Sequence, residues 1–219
     1  MRLVMLPLAA IFCLARAGAA PAQATLRYEF DPAQSRLYVV THRTGLLSFL
    51  GHEHAILVRR WSGFVCTAQS TPMDGYGALV ADARSLEIDT DSARALAGLG
   101  GGPSERQLRT IRAKLVDSEH LAIERYPEIR LDSLVVMQRA NDQWLADGML
   151  TIRGVAKPVR IPFTIASPDS AALRFTGNIT IRQSHFGLKP ESIAGVVRVS
   201  DPVDIHFDLT AKAASQSCN

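Results

Sequence analysis

The stretch VDIHFDLTA, residues 203–211, decides the fold, because apolar and polar side chains alternate along it without a break. Side chains of a β-strand point alternately to the two faces of a sheet, so this period of two predicts a strand with one apolar and one polar face. Residues 175–182 and 159–165 repeat the pattern. One apolar and one solvated face are typical of antiparallel sheets. The sequence therefore predicts an all-β, antiparallel protein.

Less regular apolar runs predict further strands, and turn residues separate them. These runs are Leu37–His42, Ala55–Thr67, Gly77–Ile88, Ile129–Gln138 and Trp144–Ile152. About eight strands follow from these patterns, with no internal repeat and no second βαβ unit. Closing such a sheet removes exposed strand edges, so we expect an antiparallel β-barrel of about eight strands.

Residues 104–118 do not follow the alternation of a strand, and their pattern predicts one α-helix. Four apolar side chains share one helical stripe, with basic residues on the other side. They are Leu108, Ile111, Leu115 and Val116. Ser104 and Gln107 have the spacing of a capping box, which places the start of the helix at this point.

The N-terminal segment has the features of a secretory signal. Residues 1–24 contain one early arginine, a short apolar run and then small residues. We expect cleavage after a residue between 19 and 24. The run is too short to span a membrane, so no stable membrane span is expected after its removal. The predicted domains are a signal peptide at 1–24, a barrel at 25–212 and a polar tail at 213–219.

Composition excludes several classes of protein. The chain has 24 Lys and Arg residues against 21 Asp and Glu residues, and only 6% aromatic residues, so nucleic acid is not an expected partner. Three cysteines are too few for a disulfide scaffold or a four-thiolate zinc site. The sequence leaves open whether Cys66, in a predicted strand, pairs with Cys218 in the polar tail.

No catalytic motif stands out. The chain lacks a Gly-x-Ser-x-Gly elbow and a Cys-x-x-Cys pair. Asp89 and Asp91 are neighbouring acids at a strand end, where turn caps are expected rather than a catalytic pair. The sequence therefore predicts a protein that is not an enzyme.

Several motifs occur in an order that resembles one known family, and together they extend over nearly all of the chain after the signal. They are Tyr28–Pro32 before Ser35, His42 with Gly45, Leu86–Thr90, Glu124–Pro127, Gly148–Val155 followed by Lys157–Val159, and Arg182 with Phe186–Leu188. The chain resembles the YceI-like, polyisoprenoid-binding, lipocalin-like family of exported bacterial proteins. It departs from the family at His185, where members usually carry Asp, and in the histidine-rich segment 50–54.

The resemblance implies a barrel around an elongated apolar cavity that holds an isoprenoid-tailed molecule, such as a polyprenyl lipid or a quinone. It also implies a periplasmic location. Such a ligand would be bound cargo, and no other cofactor is expected. The loops Thr44–His54 and Leu96–Ser104 are the predicted gates. A homodimer is left open by the sequence.

The predicted ligand-binding residues were chosen by strand face and by motif position. They are Val40, His42, Phe49, His52, His54, Phe64, Leu86, Leu115, Leu121, Phe175 and Phe186. The rings of Phe49 and Phe186 are expected near the mouth of the barrel.

A histidine cluster gives the alternative hypothesis, which is a metal- or haem-binding protein of envelope redox chemistry. His52 and His54 point to one face if their segment is extended, and His42 on the preceding strand could join them. Imidazole is a good ligand for zinc, copper and haem iron. The simpler interpretation is that these rings hydrogen-bond backbone groups or a ligand headgroup at the barrel mouth.

Overall fold

The computed structural model describes residues 25–45, 52–68, 71–138, 143–169, 171–190, 192–193, 197–216 and 218. Within them the chain forms twelve strands and two α-helices. The strands are β1 Thr25–Phe30, β2 Arg36–Thr44, β3 His54–Val58, β4 Trp61–Ala68, β5 Thr71–Asp82, β6 Leu86–Ile88, β7 Glu128–Gln138, β8 Gln143–Ile152, β9 Val155–Asp169, β10 Ala172–Arg182, β11 Ser192–Ile193 and β12 Val197–Ala213. The helices are α1 Asp91–Leu96 and α2 Glu105–Val116.

The strands close into an antiparallel barrel, which confirms the predicted fold. The hydrogen-bonded order is β1, β4, β5, β7, β8, β9, β10 and β12, and β12 pairs again with β1. The seventeen-residue β12 is long enough to pair with β10 along one edge and with both β1 and β2 along the other. β3 then adds to β2, and β6 adds to β3.

Two runs predicted as single strands are each bent in the structure. The run Ala55–Thr67 forms β3 and β4, and the run Gly77–Ile88 forms β5 and β6. Hydrogen bonds connect the two bends, because the Arg60 amide donates to Ser85 Oγ at 2.9 Å and the Asp82 amide donates to the Arg60 carbonyl at 2.9 Å. Neighbouring strands therefore bend at the same level.

Helix α2 confirms the predicted helix. The Gln107 amide donates to Ser104 Oγ, and the Ser104 amide donates to the Gln107 side-chain oxygen, so the capping box is complete. Val116 is exposed, whereas Leu115 faces the barrel interior. Helix α1 is not predicted by the pattern, because six residues are too short to display a helical period. Among the described residues, no helix is long and apolar enough to cross a membrane.

The barrel has two distinct ends. We call the one where β8 ends at Ile152 and β10 ends at Arg182 the α2 end, since residues after α2 pack there. The opposite end is the disulfide end, where Cys66 on β4 is bonded to Cys218. The sequence leaves open whether Cys66 and Cys218 pair, and in the structure they do. The bond attaches the predicted polar tail to the barrel wall.

Removing the disulfide should weaken the fold. The bond joins residues 152 positions apart, so it restricts a large loop of the unfolded chain. We expect Cys218→Ser to lower the free energy of unfolding by about 2–4 kcal/mol. Reducing agent should have the same effect on the wild type and none on the variant. An unfolding midpoint of the wild type that does not respond to reducing agent would contradict this prediction.

Candidate ligand cavity

The barrel encloses a cavity of about 270 Å³ with an almost entirely apolar wall. Side chains from β2, β3, β5, β7, β8, β9, β10 and β12 border it, and α2 contributes Leu115. The wall includes Leu131 on β7, Ile161 on β9 and Ile205 on β12. Inward-facing positions of alternating strands supply this surface, as expected for a closed barrel. An elongated apolar molecule is the chemistry that such a wall accepts.

Aromatic rings pack against one another in the barrel core. Phe175 lies 5.6 Å from Phe30 and 5.9 Å from Phe163, measured between ring centroids. Trp61 extends the group at 6.0 Å from Phe30. We call these four residues the aromatic cluster. Trp144 is buried in the same core cluster.

Three of the family motifs meet at the α2 end. Arg153 and Gly154 form the two-residue turn between β8 and β9, and both have positive φ, at 52° and 73°. A side chain at Gly154 would meet the Tyr126 ring at 2.6 Å, so glycine is required there. The Arg153 guanidinium donates to the carbonyl of Gly187 at 2.8 Å and to that of Ser118 at 2.6 Å. These contacts hold the residues after α2 against the barrel.

Four polar residues border the cavity among the described residues. They are Thr41, His120, Arg130 and Gln183. The Arg130 guanidinium bonds Glu128 and Asp132, and His120 Nδ1 lies 2.8 Å from Asp117 Oδ1. Gln183 Nε2 donates to the Ser200 carbonyl at 2.9 Å. Thr41 Oγ1 is buried and has no hydrogen-bond partner.

A buried ionic group lies next to the α2 end. The Asp89 side chain is fully buried and accepts hydrogen bonds from His54 Nδ1 at 2.6 Å, from the Ala55 amide at 3.1 Å and from Arg94 Nη1 at 2.7 Å. The Arg94 guanidinium also donates to the carbonyls of Glu53, Gly100 and Gly101. Asp89 thereby joins β3 to α1 and to the loop that follows α1.

Hydrogen bonds keep the Asp89 carboxyl group ionised. Burial alone raises the pKa of this carboxyl group, but hydrogen bonds from His54, the Ala55 amide and Arg94 outweigh it and hold the pKa below the ordinary value of 3.8. Asp89 is therefore a carboxylate at neutral pH, and it compensates the charge of Arg94, whose side chain is only 11% exposed.

His42 lies outside the cavity, between two carboxylates. Its Nε2 donates to Asp204 at 2.7 Å, and its Nδ1 lies 3.3 Å from Glu53. The hydrogen bond to Asp204 is the main cause that raises the pKa of His42 above its ordinary value, and Glu53 acts in the same direction against partial burial. Both ring nitrogens are engaged by acids, which suits a structural link better than a metal ligand.

The structure places several predicted ligand-binding residues in the cavity wall. These are Leu86, Leu115, Leu121, Phe175 and Phe64. Phe64 differs from the rest, because its ring packs against Tyr76 at 6.3 Å and under the Arg27 guanidinium at 3.9 Å. The ligand-binding role of all these residues stays a prediction.

The other predicted residues that the structure describes do not border the cavity. Val40 and His42 lie on the face of β2 opposite to the lining residues Val39 and Thr41. Phe186 is 2% exposed and packs in the core of the α2 end rather than at a mouth. The remaining predicted residues are His52 and His54, which do not border the cavity, and Phe49, which lies outside the described residues.

The structure also describes parts of the two predicted gate loops and of the predicted histidine cluster. Leu96 and Leu99 pack with Ala55 and Leu57, which places the second loop on the outer face of β3. Part of the first loop, 46–51, lies outside the described residues. Within the part of the chain that the structure describes, no three His, Cys, Asp or Glu side chains are arranged to hold a metal ion.

Sequence reasoning missed Thr41, Asp89, Arg94 and Gln183. Asp89 is part of the motif Leu86–Thr90, so its position in a family motif was the one available signal. Its partners His54 and Arg94 lie 35 residues before it and five residues after it, and only the folded chain shows that they meet.

Fold and cavity together define the class of protein. A closed antiparallel barrel with an apolar interior and few polar lining groups is the architecture of a small-molecule-binding barrel. The chain belongs to the YceI-like domain family, whose model matches residues 28–211. A search of curated proteins found no match.

Three solved structures share the fold. BcnA of Burkholderia cenocepacia is 20% identical, with a TM-score of 0.63, and the match covers 84% of this chain and 99% of BcnA. A polyisoprenoid-binding domain from Saccharophagus degradans, implicated in plant cell wall breakdown, is 15% identical with a TM-score of 0.56, over 86% and 99% of the two chains. The YCEI protein of Campylobacter jejuni is 14% identical with a TM-score of 0.53, over 74% and 85%.

Proposed function

We propose that this protein binds an isoprenoid-tailed apolar molecule in the barrel cavity and carries or sequesters it in the bacterial periplasm. The observation that carries the proposal is the apolar cavity inside a closed barrel. Membership of the YceI-like family and the polyisoprenoid-binding description of a structural neighbour support the same ligand class. Catalysis is not part of the proposal.

Binding is driven by removal of the tail from water. Each buried CH₂ group contributes about 0.8 kcal/mol, so a prenyl tail gains affinity in proportion to the length that the cavity takes up. Nearly all described lining residues are apolar, so the wall has few polar groups that a prenyl tail would have to displace from water. Thr41 and Gln183 are uncharged polar lining residues beside β12, so the headgroup is expected there and the tail against the apolar remainder of the wall.

Export is also proposed. The charged, apolar and small residues of 1–24 have the order of a secretory signal. The bond between Cys66 and Cys218 supports this location, because structural disulfides persist in oxidising compartments such as the periplasm.

Stabilisation by added ligand tests the proposal. A molecule that binds only the folded chain at 100 times its dissociation constant stabilises it by about 2.7 kcal/mol. For a chain of this size, that corresponds to a rise of roughly 5–10 °C in the unfolding midpoint. We expect such a rise with a prenylated quinone or a polyprenol, and no rise with the free headgroup. No rise with either tailed molecule would contradict carriage.

A further inference from the structure

Two uncharged polar side chains border the cavity beside β12, and we call Thr41 and Gln183 the polar corner. Thr41 pairs with Val203 of β12, and Gln183 donates to Ser200 of the same strand. The ladder between β2 and β12 is irregular from Val199 to Val203, so both residues lie beside the same irregular part of β12. Both also border the cavity.

Thr41 is a buried hydroxyl group without a partner. The residue is 8% exposed, and its Oγ1 makes no hydrogen bond within the described residues. A buried donor that stays unsatisfied costs free energy, whereas a ligand atom at hydrogen-bond distance removes the cost. Gln183 uses one amide N–H for Ser200, which leaves its side-chain carbonyl and second N–H for the same purpose.

The corner is uncharged. Among the described lining residues, the Arg130 guanidinium is already engaged by Glu128 and Asp132, and His120 Nδ1 lies 2.8 Å from Asp117 Oδ1. A phosphate placed in this wall would lose its hydration without gaining a free cation, which is strongly unfavourable. A hydroxyl or carbonyl oxygen needs only the hydrogen bonds that Thr41 and Gln183 offer.

We propose that the polar corner recognises an uncharged oxygen at the head of the ligand, so that the protein selects an isoprenoid alcohol or quinone over an isoprenoid phosphate. This inference rests on the proposed function and adds the chemistry of the headgroup. Thr41 is then a specificity-determining residue, because its hydroxyl group can hydrogen-bond an oxygen atom of the ligand but not a hydrocarbon end.

Three probes of equal tail length test the selectivity of the wild type. They are geranylgeraniol, geranylgeranyl phosphate and the matching hydrocarbon without oxygen, each titrated against the purified protein by calorimetry. We expect geranylgeraniol to bind about tenfold more tightly than the hydrocarbon and more tightly than the phosphate. A phosphate that binds as tightly as the alcohol would overturn the inference.

The substitution Thr41→Val removes the hydroxyl group and keeps the shape of the side chain. We expect it to weaken geranylgeraniol binding about five- to tenfold and to leave the hydrocarbon unchanged. The ligand-free variant should be at least as stable as the wild type, because it no longer buries an unsatisfied group. A merely structural threonine would show the opposite, which is lost stability with unchanged selectivity.

Two further variants complete the test. Gln183→Leu should reduce the preference for the alcohol in the same direction, and Thr164→Val, at an exposed position of β9, should change nothing. If no probe binds the wild type, the proposed function fails, and this inference fails with it. If the hydrocarbon binds but Thr41→Val does not alter the preference for the alcohol, the inference alone is overturned.

Discussion

Replacing Leu131 with tryptophan is expected to reduce affinity for a prenyl ligand about 100-fold. Leu131 borders the cavity and packs against two clusters of the core. An indole ring there displaces three or four methylene groups of the tail, and at about 0.8 kcal/mol each this amounts to about 3 kcal/mol. The dissociation constant for a polyprenol, measured by calorimetry, checks the prediction.

A matched control lies on the same strand. Val135 points outward and is 53% exposed, so Val135→Trp adds the same ring without entering the cavity, and affinity should stay within about twofold of the wild type. Because overpacking can itself destabilise a core, Ala146→Leu serves as a milder second cavity variant with a smaller loss in the same direction. Equal affinity of Leu131→Trp and Val135→Trp would contradict binding in the cavity.

The substitution Asp89→Asn is expected to lower the free energy of unfolding by about 3 kcal/mol. Asparagine keeps the shape of the side chain and tolerates the positive φ of 51° at this position. It removes the charge that Asp89 Oδ1 presents to Arg94 Nη1 at 2.7 Å, and the loss of one partner of a buried ion pair leaves the other uncompensated. Chemical denaturation at pH 7 measures the effect.

The effect of Asp89→Asn should depend on pH with a defined sign. The folded state holds the pKa of Asp89 below 3.8, so the carboxylate stabilises the fold above that pH and loses this contribution as the pH falls further. The difference between wild type and variant should therefore shrink below about pH 4.

The control for Asp89→Asn is Asp132→Asn. Asp132 pairs with Arg130, whose side chain is 46% exposed, and a salt bridge that exposed is worth about 1 kcal/mol or less. If both variants lose the same small amount of stability, the buried ionic group does not hold α1 against β3 in the way described.

The barrel could be predicted because its signal is local. In residues 203–211 and 175–182 apolar and polar positions alternate, and this pattern indicates strand type and sheet class without knowledge of neighbours. The capping box of α2 is local as well, since Ser104 and Gln107 are three residues apart.

The inward face of β2 could not be predicted with the same certainty. Leu37 and Val39 face the cavity, yet Tyr38 and Val40 on the other face are apolar too. Val40 pairs with Ala55, whose outer side is covered by α1, so both faces of β2 are partly buried here. Alternation shows which residues share a face but does not show which face is inside when a second layer covers the outer one.

Contacts between residues that are far apart in the sequence could not be predicted either. Cys66 and Cys218 are separated by 152 residues, and no spacing rule connects a cysteine in a strand with one in a tail. The group around Asp89 likewise depends on the pairing of β3 with β6 and on the position of α1. The residues of the disulfide, and those of the group around Asp89, become neighbours only once the strands have paired in the closed barrel.

Mass spectrometry of molecules extracted from the natively expressed protein tests the central claim most directly. The account predicts a co-purifying molecule with a prenyl tail and an uncharged oxygen headgroup, present in wild type and depleted in Leu131→Trp. Protein that repeatedly extracts free of any such molecule, and that gains no thermal stability from added polyprenol or quinone, would contradict it.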